Sequence, residues 1–557
     1  MITKRTAFAI LICIAFQIQL LAQEPIKPIP HLERRGMATQ LIVDGKPYLI
    51  LGGELHNAST SSLDFLKPLL PRMVTMNLNT VLAAVTWDLM EPREGKFDFT
   101  LVDGLLKQAR ENKLRVVLLW FGSWKNGLSH YAPDWVKADY KRFPRVMLGN
   151  GKSTETITPL SEQGMQADAK AYAALMRHIR TADARERTVI MVQMENEVGV
   201  LGDSRDRSPM ANTAFAGVVP QELLESLGKN KEALQPPLRK LWEAAGSRTA
   251  GTWEDVFGKG PATDEIFMAW NYARYMNAVT DAGKTQYTLP TYVNAWIVQP
   301  EDKGPGDYPA GGPQSQVHDI WRAGAPRIDI FSPDIYLPGF KDITAMYHHS
   351  WNPLFVPESF ADTMGAAQAY YAIGHEYGIG YSPFGIDGER APADPVRSIL
   401  PKTYKLLSGM AATLLDAQSK GNIMAVMLNK SCPTQTITMG GYDIAINLRR
   451  TRYGSSTLTT GFGLIINAGP DEFILSGLNL DFTFTPVTAG PPMAGFASVW
   501  EGVYRNGQWR PGRKLNGDNI MLSYLLSDET SKGRTGSVAR FEGDDPVILK
   551  VKLYRFQ

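Results

Sequence analysis

Eight short apolar runs, separated by longer helical stretches between about residues 40 and 420, constrain this chain more than any other feature. They cover residues 48–54, 80–85, 114–120, 189–193, 290–294, 328–331, 354–356 and 379–381. Continuous apolar runs belong to strands buried on both faces, the pattern of a parallel sheet covered by helices. Leu63 to Met76, Leu101 to Glu111, Ala167 to Thr181 and Asp264 to Asp281 carry helical periodicity between them. Eight strand–helix units are the count of a closed (β/α)8 TIM barrel. An open doubly wound sheet is the alternative, but no G-x-G-x-x-G follows the first run.

After about residue 420 the texture changes to strand-like runs such as Thr434 to Met439, Phe473 to Leu480 and Val547 to Phe556. Asn506-Gly507 is a hairpin signal, and Leu549, Val551 and Leu553 alternate with Lys550 and Lys552. The expected fold class is therefore α/β. It comprises a barrel over residues 30–420 and a smaller antiparallel β-sandwich over 421–557.

Lys4 and Arg5 precede an apolar stretch from Ala7 to Leu21, ending near the small residue Ala22. This predicts a cleaved signal peptide over residues 1–22 and a periplasmic or secreted protein with no membrane span after its removal. Only Cys432 then remains, so no intrachain disulfide is expected. The 58 Lys and Arg balance 56 Asp and Glu without a basic stripe, which argues against nucleic acid as a partner.

In a barrel, chemistry sits at the C-terminal ends of the strands. Those ends are acidic and aromatic here: Glu54 and His56, Trp87 and Glu91, Trp120 and Trp124, Glu195-Asn196-Glu197, Asn294 and Trp296, Asp334 and Tyr336, and Glu358. Carboxylates among indole rings suit a carbohydrate, whose C–H faces stack on aromatics and whose hydroxyls need acceptors. Strand spacing and tilt place Glu197 and Glu358 across the mouth with a gap of roughly 6 Å, between the retaining and inverting separations. Other motifs fail. Val146 replaces the first glycine of a P-loop ending at Gly151-Lys152-Ser153, and His375-Glu376 lacks a second histidine at Ile379. No metal and no organic cofactor is expected.

Gln193-Met-Glu-Asn-Glu-Val-Gly199 resembles the Q-x-E-N-E-x-G signature of glycoside hydrolase family 35, the β-galactosidases of clan A. Trp87 to Pro92 is similar to the W-x-x-x-E-P of its second strand, and Gly52 to His56 to its first-strand motif. Pro353 to Glu358 matches the position of its nucleophile. The tail resembles a β domain found in one branch of that family.

The resemblance implies retaining double displacement, with Glu197 as general acid/base and Glu358 as nucleophile. It further implies that Asn196 holds the 2-hydroxyl, Tyr336 orients Glu358, and Glu91 binds sugar hydroxyls. Glu54, His56, Trp87, Trp124 and Trp296 complete the expected substrate contacts, and Trp351 is a further expected cleft aromatic. One departure stands out. Many family members end the third strand in Ala-Glu-Trp, whereas this chain reads Gly122-Ser123-Trp124. Glu54 is placed to supply the missing acceptor.

The leading expectation is an exo-acting β-galactosidase on plant cell-wall oligosaccharides or polysaccharides such as xyloglucan. The long segments 199–262 and 301–313 would narrow the mouth into a pocket. Alternatives are another clan-A activity (β-glucosidase, arabinosidase or endo-glycanase) and a non-catalytic sugar-binding barrel. The second would need neither Glu197 nor Glu358.

Overall fold

The computed structural model describes residues 27–449, 458–505, 507–515, 521–522, 537–541 and 543–557. The expected signal segment, and Asn506 of the expected hairpin, lie outside the described residues. All eight apolar runs overlap a barrel strand: β1 (Ile50–Glu54), β2 (Thr80–Thr86), β3 (Arg115–Lys125), β4 (Val189–Asn196), β5 (Thr291–Trp296), β6 (Ile330–Asp334), β7 (Phe355–Val356) and β8 (Gly380–Tyr381).

Neighbours run β6-β5-β4-β3-β2-β1-β8-β7, all parallel. The seam between β6 and β7 is closed by a parallel bridge from Asp334 to Glu358, where the Ile335 N–H donates to the Glu358 carbonyl at 2.9 Å. The strands thus form a closed barrel.

Residues on the two faces of the strands enter two separate cores, which is why the runs show no polar alternation. Leu82, Ala84, Val117, Leu119 and Tyr292 fill the barrel interior. Val81, Ala83, Val116 and Leu118 belong to the larger cluster shared with the helices. A small antiparallel sheet (His31–Arg35, Ala38–Val43, Lys46–Tyr48) sends Leu41 and Val43 into the interior cluster.

Several boundaries differ from the sequence reading, and β3, β4 and β5 each run past the end of their apolar runs. The run at 48–54 splits, since Tyr48 ends the small sheet and β1 starts at Ile50. The stretch at 63–76 is two helices, Leu63–Leu66 and Leu69–Thr75, with Pro68 between them. Proline has no N–H to continue the first helix's hydrogen bonds. The sixth strand begins at Ile330 and extends to Asp334.

The helix Ala411–Lys420 ends at Gly421, whose left-handed φ of +68° turns the chain into the first strand of a β-sandwich. Its six-stranded and five-stranded sheets are antiparallel, and Ile444, Phe473, Phe482, Leu549, Val551 and Leu553 lie in the core between them. Arg505 pairs with Gln508, the register of a two-residue hairpin, and Gly507 has φ +73°.

The outer face of the six-stranded sheet rests on the barrel helix Thr363–Gly374, joined by a 2.7 Å hydrogen bond between the Tyr370 and Ser476 hydroxyls. Gly374 lets that helix approach, since a Cβ there would stand 2.7 Å from the Ala425 Cβ. Gly374→Leu should therefore overpack the junction and cost about 1–3 kcal/mol. Denaturant unfolding would read this as a lowered midpoint, and an unchanged midpoint would contradict the close packing.

Candidate active site

The site is built around the end of β4. Glu195 and Glu197 both have left-handed backbones, with φ of +57° and +46°, a conformation that costs a non-glycine residue about 1–2 kcal/mol. In an extended strand, adjacent side chains point to opposite faces. The two left-handed residues break that alternation, and Asn196 and Glu197 both reach Glu358.

Glu195 holds the kink in place. Its carboxylate accepts from the backbone N–H groups of Gly122, Ser123 and Trp124 at 2.8–2.9 Å. Burial, and then the neighbouring Asp168 charge, push Glu195 well above the usual carboxylate range. Gly122 is required at this point, because a Cβ would meet Trp120, Glu195 and Asp168 side-chain atoms within 2.8 Å.

Glu358 stands just past β7 and is anchored on both oxygens. Oε1 accepts from Asn196 Nδ2 at 3.1 Å and more distantly from Asn294 Nδ2 at 3.5 Å, and Oε2 accepts from the Tyr336 hydroxyl at 2.9 Å. Asn294 also accepts from the Glu197 N–H at 3.1 Å and donates to Asp334 at 2.7 Å, so one amide ties β4, β5 and β6 together. One carboxylate oxygen from each of Glu197, Asp334 and Glu358 lies within 4.8 Å of the others. That is also the spacing of a cation site, but Lys125 already brings a positive charge to this ring.

Burial, and then the Glu358 charge, raise Glu197 from the ordinary 4.5 to about 7. The same two causes hold Asp334 well above the usual carboxylate range. Lys125 is raised too, which for an ammonium favours the charged form. Burial opposes its charge, but Glu358, Glu197, Glu54 and Asp334 outweigh burial and raise it.

The remaining expected site residues divide into two groups. Glu54 is fully buried, and neither carboxylate oxygen has a hydrogen-bond partner among the described residues. Burial, and then the Glu358 charge, push it well above the usual carboxylate range. His56 is partly exposed, its Nδ1 2.9 Å from Asp387 and its ring edge-on to Phe384. Trp296, at the end of β5, is half-buried.

Trp87, Glu91 and Trp124, expected to touch the sugar, belong instead to the packing. Trp87 is 0% exposed and donates to Glu91 at 2.7 Å, and the other Glu91 oxygen accepts from the Gly95 N–H at 2.6 Å. Trp124 is 1% exposed between Tyr272 and Tyr275 and donates to the Ile157 carbonyl. Trp351 precedes β7, at the end remote from Glu358, and stacks on His349. Ser123, at the third-strand departure, is turned into the core and bonds Asp168 and Tyr275.

Sequence reading did not single out Lys125, Asp387, Phe384 or Arg390. Asp387 fixes His56 and accepts from the Ser59 hydroxyl at 2.6 Å. Arg390 lies over the Tyr336 and Phe384 rings. Gly385 and Gly388 were a usable signal, since a side chain at either would press on the His56 ring. The two long segments meet where Val200 and Ala310 exchange backbone hydrogen bonds of 2.8 and 3.0 Å.

Residues 64–287 match a glycoside hydrolase family 42 model described as β-galactosidase, and residues 400–525 match one described as a domain of unknown function, DUF5597. The first match contains Glu197 and stops short of Glu358. Among curated proteins, the chain is similar to a β-galactosidase of Xanthomonas manihotis, at 30% identity over 182 residues. That match covers 31% of this chain and 27% of the other. It is also similar to β-galactosidase 8 of Oryza sativa subsp. japonica, at 28% identity over 166 residues, 29% of this chain and 23% of the other. The chain thus matches about a quarter of the length of these relatives.

Among solved structures, a cold-adapted β-galactosidase from Rahnella sp. R3 superimposes with a TM-score of 0.46 at 15% identity, over 66% of this chain and 57% of that one. The catalytic domain of a β-amylase from Paenibacillus polymyxa gives 0.44 at 11% identity, over 64% and 98%.

The raised Glu197 has a consequence for stability. The folded protein binds its proton more tightly than the unfolded chain, so this contribution is complete below about pH 4.5 and is lost as pH rises through about 7. Glu197→Gln, neutral at every pH, should gain stability relative to the native protein as pH rises from 4 to 8, on the order of 1–3 kcal/mol. Thermal unfolding at both pH values checks this, and an equal difference at the two would contradict it.

Proposed function

We propose that this protein is a retaining glycoside hydrolase of clan A. In this reading it is an exo-acting β-galactosidase that removes terminal β-galactosyl residues from plant cell-wall oligosaccharides or polysaccharides such as xyloglucan, in the periplasm or outside the cell. The observation that carries the reading is the approach of Glu197 and Glu358, with one carboxylate oxygen of each within 4.8 Å of the other. Retaining enzymes keep about 5–5.5 Å between the two carboxyls, and inverting ones need about 6.5–9.5 Å to admit a water.

Glu358, fixed by Asn196 and Tyr336, attacks the anomeric carbon while Glu197 gives its proton to the leaving oxygen. The glycosyl-enzyme forms and the aglycone departs. Glu197, now a carboxylate, takes a proton from water, and that water releases the sugar from Glu358. With a proton affinity near neutrality, Glu197 is suited to both halves of the cycle.

The long segments that follow Glu197 and β5 pair at Val200 and Ala310, which supports a narrowed mouth and attack on chain ends. The finer placement, family 35 with an extra C-terminal β domain, rests on the Gln193–Gly199 and Pro353–Glu358 motifs. Another clan-A sugar specificity is favoured by one observation: Ser123 is buried, and the charged group at the C-terminal end of β3 is Lys125.

Hydrolysis of a nitrophenyl glycoside panel tests the reading. Release from the β-galactoside should fall at least about a thousandfold in Glu358→Ala. Release from a different glycoside, lost in the same variant, would keep the mechanism and replace galactose. A variant as active as the native protein would sink both. For the native protein, kcat/KM should decline as pH rises through about 7, where Glu197 loses its proton. That limb should vanish in Glu197→Ala assayed with the activated nitrophenyl leaving group.

A further inference from the structure

We propose that Lys125 is a positioning residue for the reaction: its ammonium clamps the side-chain carbonyl of Asn196 and thereby commits the Asn196 amide N–H groups to Glu358 and the sugar 2-hydroxyl. The inference rests on the glycosidase reading and adds a component to it.

The two ends of an asparagine amide have nearly the same shape, so its orientation is set by what each end faces. Lys125 Nζ, which can only donate, lies 2.8 Å from Asn196 Oδ1. Glu358 Oε1, which as a carboxylate only accepts, lies 3.1 Å from Asn196 Nδ2. Flipping the amide would set donor against donor and acceptor against acceptor. Without the ammonium, only the Glu358 end would favour the productive orientation.

The backbone that carries Lys125 is docked on the groups it serves. Lys125 and Leu128 exchange backbone hydrogen bonds of 2.8 and 3.0 Å around Asn126 and Gly127, whose φ values of +52° and +67° make a type I′ turn. The turn's two central N–H groups donate to the carbonyls of Asn196 at 3.0 Å and Glu197 at 3.1 Å. A displacement of this turn would therefore be felt by both residues. The ammonium also lies 5.3 Å from the Phe121 ring centroid and 6.0 Å from that of Phe384, so aromatic faces hold it from the side.

Lys125 has a second, electrostatic effect. The charged and titratable groups around Glu197 are Glu358 from β7, Asp334 from β6, Glu54 from β1 and Lys125 from β3, and Lys125 is the cation among them. Its charge favours the ionised form of Glu197, so removing it should move the basic limb of activity to higher pH.

The test compares the native protein, Lys125→Met, Lys125→Gln, Asn196→Ala and Lys125→Met/Asn196→Ala on an activated β-glycoside and on its 2-deoxy counterpart. Lys125→Met should lose about 100-fold in kcat, as when a positioned donor is removed elsewhere, with little change in KM. The loss should shrink to a few-fold on the 2-deoxy substrate, and the double variant should be no slower than Asn196→Ala alone. Lys125→Gln keeps a donor and drops the charge. It should recover most of kcat while its basic limb stays shifted upward, and it also serves if the methionine variant fails to fold.

Equal losses on the two substrates, additive losses in the double variant, or an unmoved basic limb would overturn the assignment of Lys125 alone. A native protein inactive on every β-glycoside would overturn the glycosidase reading, and this proposal with it.

Discussion

Everything proposed for this site depends on the left-handed backbone at the end of β4. Had Glu195 and Glu197 stayed extended, Asn196 and Glu197 would point to opposite faces, and only one could meet Glu358. The cost of two left-handed glutamates is met locally by three backbone N–H groups of β3 on the Glu195 carboxylate. This also explains why β3 reads Gly122-Ser123-Trp124. Glycine leaves room for Glu195, serine bonds Asp168, and tryptophan packs on Tyr272 and Tyr275.

The barrel seam supplies the other half of the geometry. The last inter-strand contact, from Asp334 to Glu358, sets the two carboxylates side by side on neighbouring strands, and Asn294 connects them to Glu197. Crowding acidic groups in this way is unfavourable for the fold. The strain is expressed as raised proton affinity on Glu54, Glu197 and Asp334, with Lys125 as partial compensation. In the proposed mechanism, a carboxylate ring that resists ionisation gives a general acid near neutrality, at some cost in stability.

Much of this was legible in the chain, for identifiable reasons. The barrel strands lie under apolar runs because both faces of each strand are buried in separate clusters. Their ends mark height in the barrel, so Glu197, Glu358, Asn294 and Asp334 could be placed at one level. Height does not give direction. Trp87, Glu91 and Trp124 share that level, yet their side chains enter the packing. The estimated gap of roughly 6 Å could not choose between mechanisms because it assumed regular strands. The kink at Glu195 and Glu197 was invisible to it. Lys125 was hidden because β3 runs five residues beyond Trp120 through an irregular register, and Asp387 because its partner His56 is near it only in space.

The most direct test of the central claim is to trap the reaction halfway. A 2-deoxy-2-fluoro glycosyl fluoride with the β configuration should inactivate a retaining enzyme by accumulating the glycosyl-enzyme, and mass spectrometry of the digested protein locates the adduct. A single sugar on Glu358 is the result this account predicts. An adduct on Glu54 or Asp334 would contradict the assignment of Glu358, and turnover without any adduct, releasing sugar of inverted configuration, would contradict the mechanism.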